Sequence, residues 1–150
     1  MTCVYMMIGP AGCGKSTVAE KIAAEHDAEL YSSDAIREEL FGDESIQGDV
    51  NLVFKTLYDR AYQDLKISCD VVIDATNLTR KNRQTMFRRF KNIPQCHYVA
   101  VIVKCPIEQA KKQNAGRSRH VPVYVIERQF KQYQEPMLEE GFEKIIDWEV

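Results

Sequence analysis

The sequence predicts an α/β fold: an open parallel sheet flanked by helices, built as one domain over residues 1–150. Three observations predict it. Short apolar runs alternate with longer stretches of helical periodicity along the chain, the pattern of repeated strand–helix–strand units. Those runs are nearly unbroken, as in strands covered on both faces. A glycine-rich loop joins the first run to the first helical stretch.

Taken in order, Cys3-Val4-Tyr5-Met6-Met7-Ile8 is the first buried strand, and Ser16 to Glu25 is helical, with Val18, Ala19, Ile22 and Ala23 on one face. Between them stands Gly9-Pro10-Ala11-Gly12-Cys13-Gly14-Lys15-Ser16-Thr17, which reads G-x-x-x-x-G-K-S, the phosphate-binding loop of nucleoside triphosphate enzymes. Glycines let the backbone turn tightly and aim N–H groups at phosphate oxygens, and the helix N-terminus adds its positive end. In that pattern Gly9, Gly12, Cys13, Gly14, Lys15, Ser16 and Thr17 hold the nucleotide. Lys15 reaches the β- and γ-phosphates and the Ser16 hydroxyl ligates Mg²⁺. Cys13 occupies a variable position, which any small residue fills.

Ala28 to Ser32 is a second short strand, followed by Ser33-Asp34-Ala35-Ile36-Arg37. Ser33 or Asp34 can cap a helix there. Asp34 also stands where an open parallel sheet places its ligand, so it can instead accept a proton from an attacking hydroxyl, with Arg37 one turn along. Phe41 to Gly48 is a polar connection. Val50 to Ile67 is a long helix whose core stripe is Leu52, Val53, Leu57, Ala61 and Leu65. Phe54, Tyr58 and Tyr62 form a second series, better read as packing than as a stacking platform.

Val71 to Asp74 is a buried strand ending in a carboxylate, and Ala75-Thr76-Asn77 follow. Asp74 can help hold Mg²⁺, orient a neighbouring arginine, or simply begin a turn. Thr79 to Lys91 is a helix with Arg80, Lys81, Arg83, Arg88, Arg89 and Lys91 and no acidic residue. Such a run reads first as a solvated face and second as a contact surface for a phosphate backbone. His97 to Val103 is the fourth strand, and Pro106 starts a helix running to Asn114. Ala115 to Pro122 is a short basic segment with the form of a lid, able to bring Arg117 onto a transferring phosphoryl group. Val123 to Leu138 continues as helix, and Phe142 to Trp148 forms the last, edge strand.

A net charge of −2 argues against a chain-wide attraction to nucleic acid, so any such binding needs a local patch. The five cysteines, at 3, 13, 69, 96 and 105, are odd in number and contain no C-x-x-C. A disulfide framework or zinc site is not expected, and reduced thiols fit a cytoplasmic compartment. The N-terminal apolar run is too short and lacks the basic start of a leader, and no membrane span is expected.

Four motifs then occur in order: G-P-A-G-C-G-K-S-T at 9–17, S-S-D-A-I-R at 32–37, D-A-T-N-L-T at 74–79, and N-A-G-R-S-R-H-V-P at 114–122. Together they resemble the polynucleotide 5′-hydroxyl kinases, the phage polynucleotide kinase and the kinase domain of bacterial polynucleotide kinase-phosphatase. The resemblance runs from Val4 to about Ile146. It implies a P-loop kinase fold with ATP and Mg²⁺ as cofactors and 5′-hydroxyl ends of RNA or DNA as acceptors. It implies Asp34 as general base, Arg37 as the grip on the first internucleotide phosphate, Asp74 as the carboxylate orienting Arg37, and Arg117 as the lid arginine. Asn77 completes the acceptor-side group. The family pattern carries a further basic residue where this chain has Gln113, a place Arg119 can fill, whereas His120 reads as loop structure. The family is often fused to phosphatase or ligase modules, so association with such modules is expected. The same residues leave a rival open: a P-loop kinase of a small metabolite or sugar nucleotide, with Arg37 gripping an anionic substrate.

Overall fold

Thr2–Ile8 forms β1, the central strand of a parallel sheet with the order β2-β3-β1-β4-β5. The structure, a computed structural model, describes residues 2–43, 48–117 and 121–148. Arg119 and His120 therefore lie outside the described residues. The other strands are β2 (Glu29–Ser32), β3 (Val71–Asp74), β4 (Cys96–Val103) and β5 (Lys144–Trp148). β1 pairs with β3 through Val4↔Val71 and with β4 through Thr2↔Cys96 to Ile8↔Ile102. The final strand is an edge strand, as the sequence predicts, and β2 is the other edge.

Side chains alternate across the pleat, so β1 feeds two cores. Val4, Met6 and Ile8 face helices α2 (Ser33–Phe41), α3 (Val50–Lys66) and α4 (Arg80–Phe90), against Ile36, Val53, Leu57, Met86 and Phe90. Met7 faces the opposite layer, α1 (Lys15–His26), α5 (Ile107–Ala115) and α6 (Val123–Gln132), against Val18, Ala19, Ile22, Ala110 and Ile126. Strands covered on both faces have no polar side to show, which is why they read as unbroken apolar runs. Among the described residues no helix is long and apolar enough to cross a membrane.

Four expectations are corrected. The cap of α2 is Ser32, whose Oγ accepts from the Ala35 N–H at 3.3 Å, so Asp34 lies inside the first turn. Leu52 is 41% exposed and leaves the α3 stripe to Val53, Leu57, Ala61 and Leu65. α6 stops at Gln132, and residues to 138 are not helical apart from the 3-10 turn Leu138–Glu140. Pro136 accounts for the early stop, since proline supplies no N–H and disfavours a helical residue before it. Arg83 is not part of a solvated face. It is fully buried and paired with Glu140, Nε to Oε1 at 2.8 Å and Nη2 to Oε2 at 3.2 Å.

Candidate active site

Strand order reverses around β1: the chain passes through α1 to β2 on one side, and from β3 across to β4 on the other. Open α/β sheets bind ligands outside the carboxyl ends of their strands at such a point. The carboxyl ends of β1, β2 and β3 deliver the phosphate loop, Ser33-Asp34 and Asp74-Ala75-Thr76 to one cavity of about 430 Å³.

The phosphate loop is shaped by close backbone approaches. A Cβ at Gly12, where φ is +86°, would stand 2.3 Å from the Ala110 carbonyl oxygen. One at Gly9 would stand 2.1 Å from the Val103 carbonyl oxygen. Only glycine lets the loop pass this near both carbonyls. Gly9 N–H donates to the Thr76 carbonyl at 3.0 Å, and Ala11 N–H to Gln129 Oε1 of α6 at 2.8 Å. The loop is thus held from the end of β3 and from α6, and it packs closely against α5.

Ser16 Oγ donates to Asp74 Oδ2 at 2.9 Å. Asp74 is buried, and burial raises its carboxyl above the usual range, with Lys15, the Ser16 hydroxyl and Arg117 opposing and Asp34 reinforcing. Lys15 lines the cavity. Enclosure by protein pushes its ammonium below the usual lysine range, while the charges of Asp74 and Asp34 pull it back up. A lysine and two carboxylates therefore share a confined space, which favours an incoming polyanion paired with a cation. The hydroxyl and carboxylate oxygens of Ser16 and Asp74 are hard donors that fit Mg²⁺, which takes one or two protein oxygens and completes its shell with phosphates and water.

Asp34 and Arg37 sit on one face of α2, with Arg37 Nη1 donating to Asp34 Oδ1 at 2.8 Å. Arg117 Nη2, from the turn after α5, lies 3.7 Å from Asp34 Oδ2. That turn is clasped by Asn114, which donates from Nδ2 to the Val121 carbonyl at 2.8 Å and accepts the Val121 N–H at 3.1 Å. Both ends of the basic segment are therefore fixed to α5.

Lys15, Ser16, Asp34, Arg37, Asp74 and Arg117 all line the one cavity, as do Gly12, Gly14 and Thr17 of the loop. Gly9, Cys13 and Asn77 do not line it. Among the described residues Asp74 bonds Ser16 and Arg37 meets Asp34, where the resemblance implies that Asp74 orients Arg37. Asn77, assigned to the acceptor side, is 4% exposed with φ +48° and donates from Nδ2 to the Met7 carbonyl at 2.8 Å. It fixes the β3–α4 turn against β1. Reasoning from sequence missed Gln129, Arg128 and Phe54 on the cavity wall. Gln129 touches Ala11 from 118 positions away, which no local pattern reveals. Phe54 belongs to the aromatic series read as packing, and that reading holds for its neighbour Tyr58, buried edge-on to Phe90 at 5.7 Å.

The sheet, the phosphate loop and the cavity at the switch point define a P-loop, kinase-like nucleotide-binding domain. The chain belongs to the AAA_33 family (AAA domain), which matches residues 4–138. No curated protein matches it in sequence. Among solved structures, a protein of Chloroflexus aurantiacus j-10-fl superposes with a TM-score of 0.79 at 14% identity, covering 97% of this chain and 88% of that one. A chain of the Pnkp1/Rnl/Hen1 RNA repair complex superposes with a TM-score of 0.74 at 22% identity over 87% of this chain and 43% of that one. A gluconokinase from Sinorhizobium meliloti 1021 superposes with a TM-score of 0.64 at 18% identity over 96% and 80%. At these identities the likeness is one of fold.

Proposed function

We propose that this protein is an ATP-dependent 5′-hydroxyl kinase of RNA or DNA ends. The observation that carries the reading is the placement of Asp34, between Arg37 and Arg117, in the same cavity as Lys15 and Ser16. Simple nucleotide binding needs the loop. It does not need a carboxylate and two arginines facing it.

In this reading the loop amides and Lys15 hold the β- and γ-phosphates. Ser16 and Asp74 would hold Mg²⁺, which would supply charge neutralisation at the phosphates. Asp34 takes the proton of the attacking hydroxyl. Arg117 moves from Asp34 to the transferring phosphoryl group, where its charge is of most use in a loose transition state. Arg37 leaves the same carboxylate for the acceptor's phosphate. Its planar fork suits bidentate phosphate recognition better than a lysine would.

Transfer of labelled γ-phosphate from ATP to 5′-hydroxyl RNA and DNA oligonucleotides tests this. Label on the ends, abolished by Asp34→Ala, is the expected result. The second reading, a small-metabolite kinase, draws on the likeness of fold to a gluconokinase, and Arg37 can equally grip an anionic group of a metabolite. Label appearing on sugars or nucleosides but not on oligonucleotides would establish that reading instead.

A further inference from the structure

All five cysteines are free thiols, and two of them meet. Cys13 and Cys105 are 92 positions apart in sequence, yet their sulfurs are 2.8 Å apart. Cys13 stands in the phosphate loop between Gly12 and Gly14 and is 2% exposed. Cys105 follows β4, one residue before Pro106, and is half-buried against the same apolar cluster. Neither lines the cavity. The loop grips phosphate through backbone amides, so nucleotide binding itself requires neither thiol.

We propose that Cys13 and Cys105 form a redox-modification site: a hydroperoxide couples them into a disulfide that ties the phosphate loop to the β4–α5 connection and weakens nucleotide binding. A disulfide needs sulfurs about 2.05 Å apart, so the pair must close by less than about 1 Å. The exposure of the two residues sets the order of events. Burial pushes the Cys13 thiol up to about 12, which keeps it protonated and shielded. Cys105 is the more exposed residue of the two, so in this proposal peroxide meets its sulfur first. Its thiolate attacks one peroxide oxygen, the O–O bond breaks, and a sulfenic acid and one water form. Cys13 then loses its proton, its sulfur bonds to the Cys105 sulfur, and the hydroxyl departs as a second water. Two thiols give up two electrons and two protons, and one hydrogen peroxide becomes two waters. A dithiol reverses the step by exchange.

The loop has little room to absorb this. Gly12 and Gly14 on either side of Cys13 hold φ near +86° and +85°, and Gly12 is already against the Ala110 carbonyl. Drawing Cys13 toward Cys105 turns the peptide groups on both sides of it away from their convergence. The effect on binding rests on the reading that this loop holds a triphosphate. Formation of the bond does not.

The full chain is treated with hydrogen peroxide, digested without reductant and analysed by mass spectrometry, with fluorescent ATP-analogue binding measured in parallel. The expected result is a Cys13–Cys105 cross-linked peptide and affinity lower by about tenfold or more, the worth of one amide hydrogen bond to a charged phosphate. Dithiothreitol reverses both. Cys105→Ser binds the analogue as the parent does before oxidation, and oxidation leaves its affinity unchanged. No cross-link, or cross-links only between other cysteines, would overturn the site, and a cross-link with unchanged affinity would overturn its effect on binding. If the untreated protein binds no nucleotide, the kinase reading fails, and the peptide analysis still decides the site.

Discussion

Asp34 Oδ1 lies 2.8 Å from Arg37 Nη1, three residues along the same helix, while Asp34 Oδ2 lies 3.7 Å from Arg117 Nη2. One carboxylate thus holds both arginines that the proposed chemistry sends to phosphates. The carboxylate keeps both guanidinium groups in place and offsets part of their charge. When phosphates enter in the proposed reading, the arginines gain anionic, bidentate partners and the carboxylate is released to face a hydroxyl. In the proposed reading, ground-state pairing and proton transfer are alternatives at this residue, and the ligand selects between them.

Asp34→Asn is expected to lower kcat by on the order of 10²- to 10⁴-fold, the worth of a positioned general base. The amide keeps the size and can still accept from Arg37, so ATP affinity should change little. Single-turnover transfer and equilibrium ATP binding, measured on the same preparation, check this. Equal losses in both would show that Asp34 organises the pocket and does not take the proton.

The two arginines should separate kinetically. Arg37→Ala is expected to raise KM for a phosphorylated acceptor by about 10- to 100-fold, in line with a hydrogen bond to a charged group, and to leave KM for ATP near its parent value. Arg117→Ala is expected to lower kcat by on the order of 10³-fold, as loss of an arginine acting in the transition state does. A steady-state matrix of both substrates distinguishes them. Matching profiles for the two variants would rule out the division of labour.

Asp74 bonds Ser16 at 2.9 Å, which in the proposed reading puts it beside the Mg²⁺ that Ser16 would hold. Asp74→Asn is therefore expected to raise the Mg²⁺ concentration for half-maximal activity by about 10- to 100-fold, the usual effect of disturbing a ligand or its partner. Acceptor KM at saturating Mg²⁺ should hold. A change in acceptor KM alone would restore Asp74 to the role of orienting Arg37.

These roles trace back to what a linear sequence can and cannot carry. The strand–loop–helix around Lys15 is legible because each requirement is local: glycines for curvature, a lysine and a hydroxyl at fixed offsets, apolar flanks. Asp34 and Arg37 were legible as a pair because three residues make nearly one helical turn. Asp74 was legible as a site residue but not in its partner, since β3 and the phosphate loop meet only after the sheet orders itself β2-β3-β1-β4-β5. The early end of α6 had a local signal in Pro136 that helical periodicity overrode. Gln129 had none, because the loop amide it holds is fixed by tertiary packing alone. Arg83 misled for a physical reason. A basic run looks solvated residue by residue, and the carboxylate that lets one member go under is 57 positions away.

That buried pair carries the last prediction. Arg83 donates two hydrogen bonds to Glu140 and further ones from Nη1 to the carbonyls of Asn77 and Leu78 at 3.0 and 3.1 Å. It therefore joins the Leu138–Glu140 turn to the turn after β3 that also carries Asn77. Both side chains are fully enclosed. Removing one charge leaves the other buried and uncompensated, so Glu140→Gln is expected to cost about 3 kcal/mol, read as the difference in unfolding free energy in urea at neutral pH. The pH dependence has a definite sign. Burial alone would raise the Glu140 carboxyl, but the Arg83 hydrogen bonds, the Met137 N–H and the Arg83 charge together hold it below its ordinary 4.5. A carboxyl lowered on folding stabilises fully above its unfolded value, and the contribution fades as pH falls through the lower native value. The stability gap between parent and Glu140→Gln should therefore stay constant above the ordinary 4.5 and narrow below it. A gap that is the same at every pH would mean that Glu140 acts through shape and hydrogen bonding, with its charge contributing nothing.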